Sequence, residues 1–557
     1  MKKYFNYSFF AIAILLISIS SFSYAQNKSS GKSGELSRPK LVVGIVVDQM
    51  RWDYLYRYYD RYSNDGFKRL ITQGFNANNT NIDYVPTVTA IGHTTIYTGS
   101  VPSIHGIAGN DFIINATGKT MYCTEDKTVT TVGSTSSAGE MSPKNMLTST
   151  ITDELQLATN FRSKVIGVAI KDRGSILPAG HAADAAYWFD GESGNFITST
   201  YYMEKLPKWV DEFNKKNLVE KYLKQGWTTL YPINTYVQSS ADDNKYEGKF
   251  KGAEKPTFPV NTAELYKTSG PGAIRSTPYG NTLSIDMAKA AIENENLGKN
   301  VVTDFLALSL SSTDYIGHQF GPNAIEIEDT YLRLDKELGD FFNYLDKKFG
   351  ADEYTVFISA DHGGAHNVNF LKDNKIPANP WATGKLLNEL NKNLQARFGE
   401  EKIMLSLMNY QGHLNHKVIS EKGLDVEAIK SASIDFLKKQ DGVNYVVDME
   451  KVLSSSIPKL IRERIVNGYN YLRSGEIQVI LNPGWYSSGS ENPTGTSHSA
   501  WNPYDSHIPL IFMGWGVKQG KTSRPTHMTD IAPTLAALLN IQQPNGSIGE
   551  PILEALK

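Results

Sequence analysis

The sequence predicts an α/β protein, built on an open, mostly parallel sheet with helices on both faces and interrupted by two inserted regions. Three observations carry this. Short, continuous apolar runs recur at Leu41–Val47, Lys164–Ile170, Asp304–Leu310, Tyr354–Ala360 and Ile508–Gly514, as expected of strands covered on both faces. Helical stretches such as 324–349 alternate with some of them. Between about 187 and 283, and again from about 367 to 489, the alternation gives way to polar and aromatic text rich in Tyr, Trp, Asn and Pro, read as insertions that cap the sheet.

Along the chain, Lys2 and Lys3 precede an apolar run from Phe9 to Ile19 that is too short to span a bilayer, and Ser23 and Ala25 supply small residues for cleavage. Residues 1–25 are therefore expected to be a signal peptide cut near Ala25, and 26–40, rich in Ser, Lys and Gly, a flexible leader. No later stretch is long and apolar enough to anchor the chain in a membrane, so a periplasmic or secreted protein is expected. Cys123 is the only cysteine, which excludes an internal disulfide. The 56 Lys and Arg nearly cancel the 58 Asp and Glu, which leaves no field to gather nucleic acid or anionic lipid. At 557 residues the length prior is three or four domain-sized units.

In an open parallel sheet ligands bind beyond the carboxyl ends of the strands, so the residues just after each run matter most. The first run ends at Asp48; the third leads to Asp314 and His318 in DYIGH; the fourth leads into Asp361 and His362 in ADHGG. Lys171 and Arg173 come after the second, and His498 stands in GTSHSAWNPYD. Taken singly, each has a bland reading: an Asp-His pair is usually a polar loop, and a Lys-x-Arg a solvated strand end. Together, three carboxylates, three imidazoles and two cations at the ends of buried strands are costly without a metal or substrate to neutralise them. Asp and neutral His suit Zn²⁺. Asp314 and His318 share a face if their turn is helical, and Lys171 and Arg173 project to one side if their segment is extended.

The segment Val85–Phe112 contains Pro86, Thr87 and Thr89, a short apolar helix reaching Thr98-Gly99, then Pro102, His105-Gly106 and Asn110 in a Gly-flanked turn. This pattern resembles the nucleophile region of the alkaline phosphatase superfamily, most closely the phosphate-insensitive bacterial alkaline phosphatases. The likeness runs from about Leu41 to the end, including the helix His527–Leu539, with the ligand residues in the family's chain order. It implies that 41–557 is the catalytic domain and that phosphate monoesters are hydrolysed through a phosphothreonine on Thr89. Two zinc ions are implied: one held by Asp48, Asp361 and His362 together with Thr89, the other by Asp314, His318 and His498. Asn110, Lys171 and Arg173 would bind the phosphoryl oxygens. A threonine hydroxyl is a weak nucleophile that coordination to zinc activates, and a second zinc about 4 Å away can stabilise the leaving oxygen.

The resemblance prefers Thr89 over Thr87, Thr94 and Thr95, any of which could be a helix cap. As a cap, Thr89 would also place its hydroxyl at a positive helix end. The nearest rival is a phosphodiesterase or nucleotide pyrophosphatase with the same metals; the extra cations after the second run favour monoesters. A sulfatase would need a Cys or Ser precursor motif that TAIGH lacks, and a phosphate-binding protein would not need Thr89. The magnesium site of another alkaline phosphatase branch has no counterpart, so two zincs without magnesium are expected; the chain is also expected to be a monomer. His93, His105, His181, His507 and His527 are read as structural, His366 as a neighbour of the ligands, and His413 and His416 as surface. Gly133–Gly139, lacking the Lys and helix of a phosphate-binding loop, is read as mobile.

Overall fold

LVVGIVV folds as predicted, into a strand whose seven residues are all buried. In the computed structural model, which describes residues 36–557, it lies near the middle of a ten-stranded sheet. The expected signal peptide and most of the leader lie outside the described residues. In chain order the strands are β1 (Leu41–Val47), β2 (Phe75–Ala77), β3 (Thr131–Val132), β4 (Val165–Ala169), β5 (Ala185–Asp190), β6 (Asn195–Ser199), β7 (Asp304–Leu310), β8 (Tyr354–Ser359), β9 (Leu510–Gly514) and β10 (Gly520–Thr522). They are arranged β10-β2-β9-β8-β1-β7-β4-β5-β6-β3. Length alone suggested several units, but residues 39–557 form a single one.

The strands β8, β1, β7, β4 and β5 are mutually parallel, and Val47 pairs with Leu310 while Val46 pairs with Ser359. Their carboxyl ends therefore open along one edge, where the turns leaving them meet. The Ile508–Gly514 run behaves differently. Its larger part, β9, is antiparallel to β8, while His507–Ile508 pairs with Thr80–Asn81 in a separate small sheet. That reversal points the end of β9 away from the site.

The first insertion begins later than expected. Tyr187 lies inside β5, and β6 and β3 extend the sheet through Ser199. The second insertion has an antiparallel sheet of its own, ordered Met404–Ser406, Gln411–Leu414, Ile477–Leu481, Val443–Asp448. It closes over a separate apolar cluster that includes Leu390, Leu394, Ile429 and Leu437.

Two helices bring chemistry to the edge. Helix α1 (Thr89–Thr98) is buried on every side and stops at Gly99, whose φ of 63° suits a residue without a side chain. Its polar groups are absorbed internally: Thr94 Oγ1 donates to Ala90 O and Thr98 Oγ1 to Thr94 O. Helix α2 (Asp172–Ala179) comes after β4, and Lys171 is its N-cap residue, so Lys171 and Arg173 straddle a strand-to-helix junction. The extended geometry expected for them is not what forms, because the chain turns into α2 immediately after Lys171.

Candidate active site

Six predicted side chains converge in two groups of three. Ligand atoms of Asp48, Asp361 and His362 lie within 4.8 Å of one another, and so do those of Asp314, His318 and His498. Asp314 and His318 stand one turn apart on helix α3 (Ser312–Phe320), so the turn is helical and the two share its face. The groups adjoin: the rings of His362 and His498 stack with centroids 3.6 Å apart. Gln49, which no sequence motif marks, ties them together. Its main-chain N–H donates to Asp361 Oδ1 at 3.1 Å and its Nε2 to Asp314 Oδ1 at 2.6 Å, from a backbone at φ 61°.

The imidazoles share one design. Nδ1 of His318, His362 and His498 faces the carbonyl of Thr496, Gly363 and Thr87, at 2.9, 2.8 and 2.7 Å. A carbonyl only accepts, so each Nδ1 carries the proton and each Nε2 keeps a lone pair for the site. Two buried carboxylate oxygens, Asp48 Oδ1 and Asp361 Oδ2, have no hydrogen-bond partner. Burial, and then the charge of Asp361, push the Asp48 carboxyl well above its usual range. Burial acts the same way on Asp314, but His318 and Lys171 outweigh it and hold that group well below the usual range. Lys171 Nζ is the cation between the groups, 2.7 Å from Asp48 Oδ2 and 2.6 Å from Asp314 Oδ2, and burial of its charge is more than offset by those carboxylates. Orphaned carboxylate oxygens and aimed imidazole lone pairs fit a donor set for two divalent cations of the zinc class.

Thr89 opens α1, but it does not cap it: Val88 is the N-cap residue and there is no side-chain cap bond. Its hydroxyl points into the site, 3.4 Å from Lys171 Nζ and 3.5 Å from His362 Nε2. The competing hydroxyls are occupied elsewhere, Thr87 on Ala500 O, Thr94 on Ala90 O and Thr95 beside His105. Asn110 Oδ1 accepts from Ala90 N at 2.9 Å, which leaves its amide N–H groups to donate beside Thr89. Arg173 Nη1 donates to Tyr122 Oη at 2.9 Å, and Tyr122 Oη donates in turn to Asp172 Oδ1 at 2.9 Å. Tyr122, in a stretch with no recognisable motif, could not have been found from sequence.

Three minor expectations change. His93 is not remote from the chemistry: its Nδ1 lies 3.3 Å from Asp361 Oδ2 while donating to Thr89 O at 2.9 Å, and Ser309 Oγ faces its Nε2. Its spacing one turn after Thr89 was the available signal. His413 is buried, not on the surface, whereas His416 is half-exposed. The 133–139 stretch is tied down, since Ser134 and Ser136 both donate to Asp190 Oδ2. His366 faces Asn323 Oδ1 and packs on Phe370.

Residues 42–506 match the type I phosphodiesterase / nucleotide pyrophosphatase family. A Myroides odoratus protein named calcium-transporting ATPase is 62% identical over 94% of this chain and 96% of its own. Alkaline phosphatase PafA of Elizabethkingia meningoseptica is 53% identical over 94% of this chain and 96% of its own; PhoV of Synechococcus elongatus is 54% identical, covering 94% of each. The crystal structure of PafA superposes with a TM-score of 0.92, covering 94% of this chain and all of the other. A PafA variant with a threonine, an asparagine, a lysine and an arginine replaced together gives 0.91 over the same spans. No helix among the described residues is long and apolar enough to cross a membrane.

Proposed function

The chain belongs to the type I phosphodiesterase / nucleotide pyrophosphatase family of the alkaline phosphatase superfamily, and on that premise we propose that it works through a phosphothreonine on Thr89 beside two zinc ions. It is an alkaline phosphatase and hydrolyses phosphate monoesters. One observation carries the finer reading: of the threonine hydroxyls in the segment, that of Thr89 alone faces Lys171 and His362 of the first ligand group. The four residue types changed together in the PafA variant occur here in the same order as Thr89, Asn110, Lys171 and Arg173, with the Thr-to-Asn and Lys-to-Arg intervals equal and the Asn-to-Lys interval one residue shorter, which supports the same grouping here.

Asp48, Asp361 and His362 would hold one metal and Asp314, His318 and His498 the other. Zinc there would supply positive charge for the attacking and leaving oxygens and lower the pKa of water. Thr89 Oγ1 attacks phosphorus and loses its proton, the alcohol departs, and water then cleaves the phosphothreonine to release phosphate. Lys171 and Arg173 balance the charge of the monoester's oxygens, Tyr122 and Asp172 hold the Arg173 fork in place, and Asn110 donates to a further oxygen. The positive end of α1 sits behind Thr89. A diester presents one charged oxygen fewer, so these cations favour monoesters over the phosphodiesterase alternative. The export segment expected from the sequence supports a periplasmic or secreted enzyme.

Chelation should abolish activity and Zn²⁺ should restore it. Para-nitrophenyl phosphate should be cleaved far faster than its bis ester, and replacing Lys171 and Arg173 together should selectively depress the monoester rate. ATP belongs in the same panel, given the name of the Myroides relative. Indifference to chelation would remove the two-metal reading, and preference for the bis ester would establish the phosphodiesterase alternative.

A further inference from the structure

Gln49 lies between the two ligand groups, and the reaction itself leaves it unused. It follows Asp48 at the end of β1, is buried, and holds a φ of 61°, a backbone region that favours glycine. A long side chain kept at such a position points to function rather than to folding. Here the left-handed turn separates its two donors: the main-chain N–H is directed to Asp361 Oδ1 at 3.1 Å, and the side-chain Nε2 reaches Asp314 Oδ1 at 2.6 Å. An ionised carboxylate only accepts, so the amide presents its nitrogen to Asp314. Both ligand-bearing segments clear space for that side chain. Gly317 stands between Asp314 and His318 on α3, where a Cβ would collide with Gln49 Oε1, and a Cβ on Gly364 would stand 3.2 Å from the same atom.

The two bonds differ in consequence. Asp361 Oδ1 also accepts from His362 N at 3.0 Å, so two main-chain amides hold it and Oδ2 is the oxygen left without a hydrogen-bond partner. Asp314 Oδ1 is the oxygen that faces the imidazoles of its own group, 3.2 Å from His318 Nε2 and 3.9 Å from His498 Nε2. Those nitrogens carry lone pairs, so the N–H that orients this oxygen is the one on Gln49. Lys171 holds the other oxygen, Oδ2, but as a full charge. A neutral amide orients a ligand carboxylate without setting a second positive charge beside the metal.

On the two-zinc reading of the site, we propose that Gln49 is a positioning residue whose side chain sets the zinc affinity of the Asp314, His318 and His498 group, and of that group alone. A hydrogen-bond partner behind a ligating carboxylate typically accounts for about 10–100-fold in metal affinity. The group of Asp48, Asp361 and His362 is spared, because the bond from residue 49 to Asp361 comes from the main chain and does not depend on the side chain. Gln49 touches neither Thr89 nor Lys171, so its effect reaches the reaction only through the metal that Asp314 would hold.

Zinc stoichiometry and affinity are measured on the full chain in chelator-buffered Zn²⁺, for wild type, Gln49→Met and Gln49→Gly. Methionine fills the space without the donor, and glycine suits the φ of 61°, so one variant preserves packing and the other relieves the backbone. Wild type should hold two zinc ions. Each variant should keep one site unchanged and bind at the other about 10–100-fold more weakly. On a His318→Ala background, which removes the Asp314 site, Gln49→Met should leave the remaining affinity unaltered; on a His362→Ala background, which removes the other, the full loss should appear. Wild-type affinity at both sites in either variant, an equal loss at both, or a loss confined to the Asp361 group would each overturn the proposal. Fewer than two zinc ions in wild type would instead remove the two-metal reading, and the proposal with it.

Discussion

At the scale of single residues, Thr89 is set apart by what its hydroxyl does not do. Thr87, Thr94 and Thr98 spend theirs on carbonyls, and Val88 takes the cap position, so Thr89 Oγ1 is left facing Lys171 and His362. Removing it should stop the covalent step without unfolding α1, since alanine is a better helix former than threonine. Thr89→Ala is expected to lower kcat by roughly three orders of magnitude or more, to keep its metals, and to yield no acid-stable phosphothreonine peptide. Near-normal turnover in that variant would refute the nucleophile assignment. Tyr122 illustrates a different kind of residue: it touches no predicted ligand, yet it receives the Arg173 fork and is itself held by Asp172.

At the scale of elements, the site depends on how closely α1 approaches the turn after β8. Gly92 allows that approach, because a Cβ there would run into the main chain of Asp361 and stand 2.6 Å from its Cβ. The obstacle is backbone, so it cannot swing aside. Gly92→Ala is expected to cost about 1–3 kcal/mol, the usual penalty for overpacking, and to displace Asp361 from Asp48 and His362. Metal content by elemental analysis should fall along with activity, whereas an unaltered metal content would show that the helix does not set this geometry. The second insertion reaches the same neighbourhood from above, where Asn409 Nδ2 donates to the carbonyl of Asp111, next to Asn110.

At the scale of the whole molecule, stability should fall on the acid side. Burial drives His105 and His366 down to about 3 and His413 down to about 4, while the unfolded chain titrates near 6.5. Below 6.5 the unfolded state therefore binds more protons than the folded one, and stability declines as pH falls from about 6.5 towards 4. Each group contributes a slope of up to about 1.4 kcal/mol per pH unit in that window. Above 6.5 their contribution is fully present. Denaturant unfolding of wild type and His413→Phe across pH 4–8 should show a shallower acid limb in the variant, and parallel curves would show that His413 has no part in the acid limb.

Much of this was legible because parallel strands make chemistry local to their ends. Asp48, Lys171, Asp314 and Asp361 each come after a buried apolar run, so residue type and position sufficed to gather them on one edge, and the ordered motifs of the resemblance supplied His318, His362, His498, Thr89 and Asn110. Strand direction was not legible: an apolar run reads the same in either sense, so the reversal of β9 and the reach of the sheet through Ser199 emerged only from pairing. Neither was the partnership of Gln49 and Tyr122 with the site, because each acts through a contact whose other half lies far along the chain. Local order in the sequence determined the fold class and the reacting groups. The fold alone decided which side chains orient them, since hydrogen bonds and burial are properties of neighbours in space.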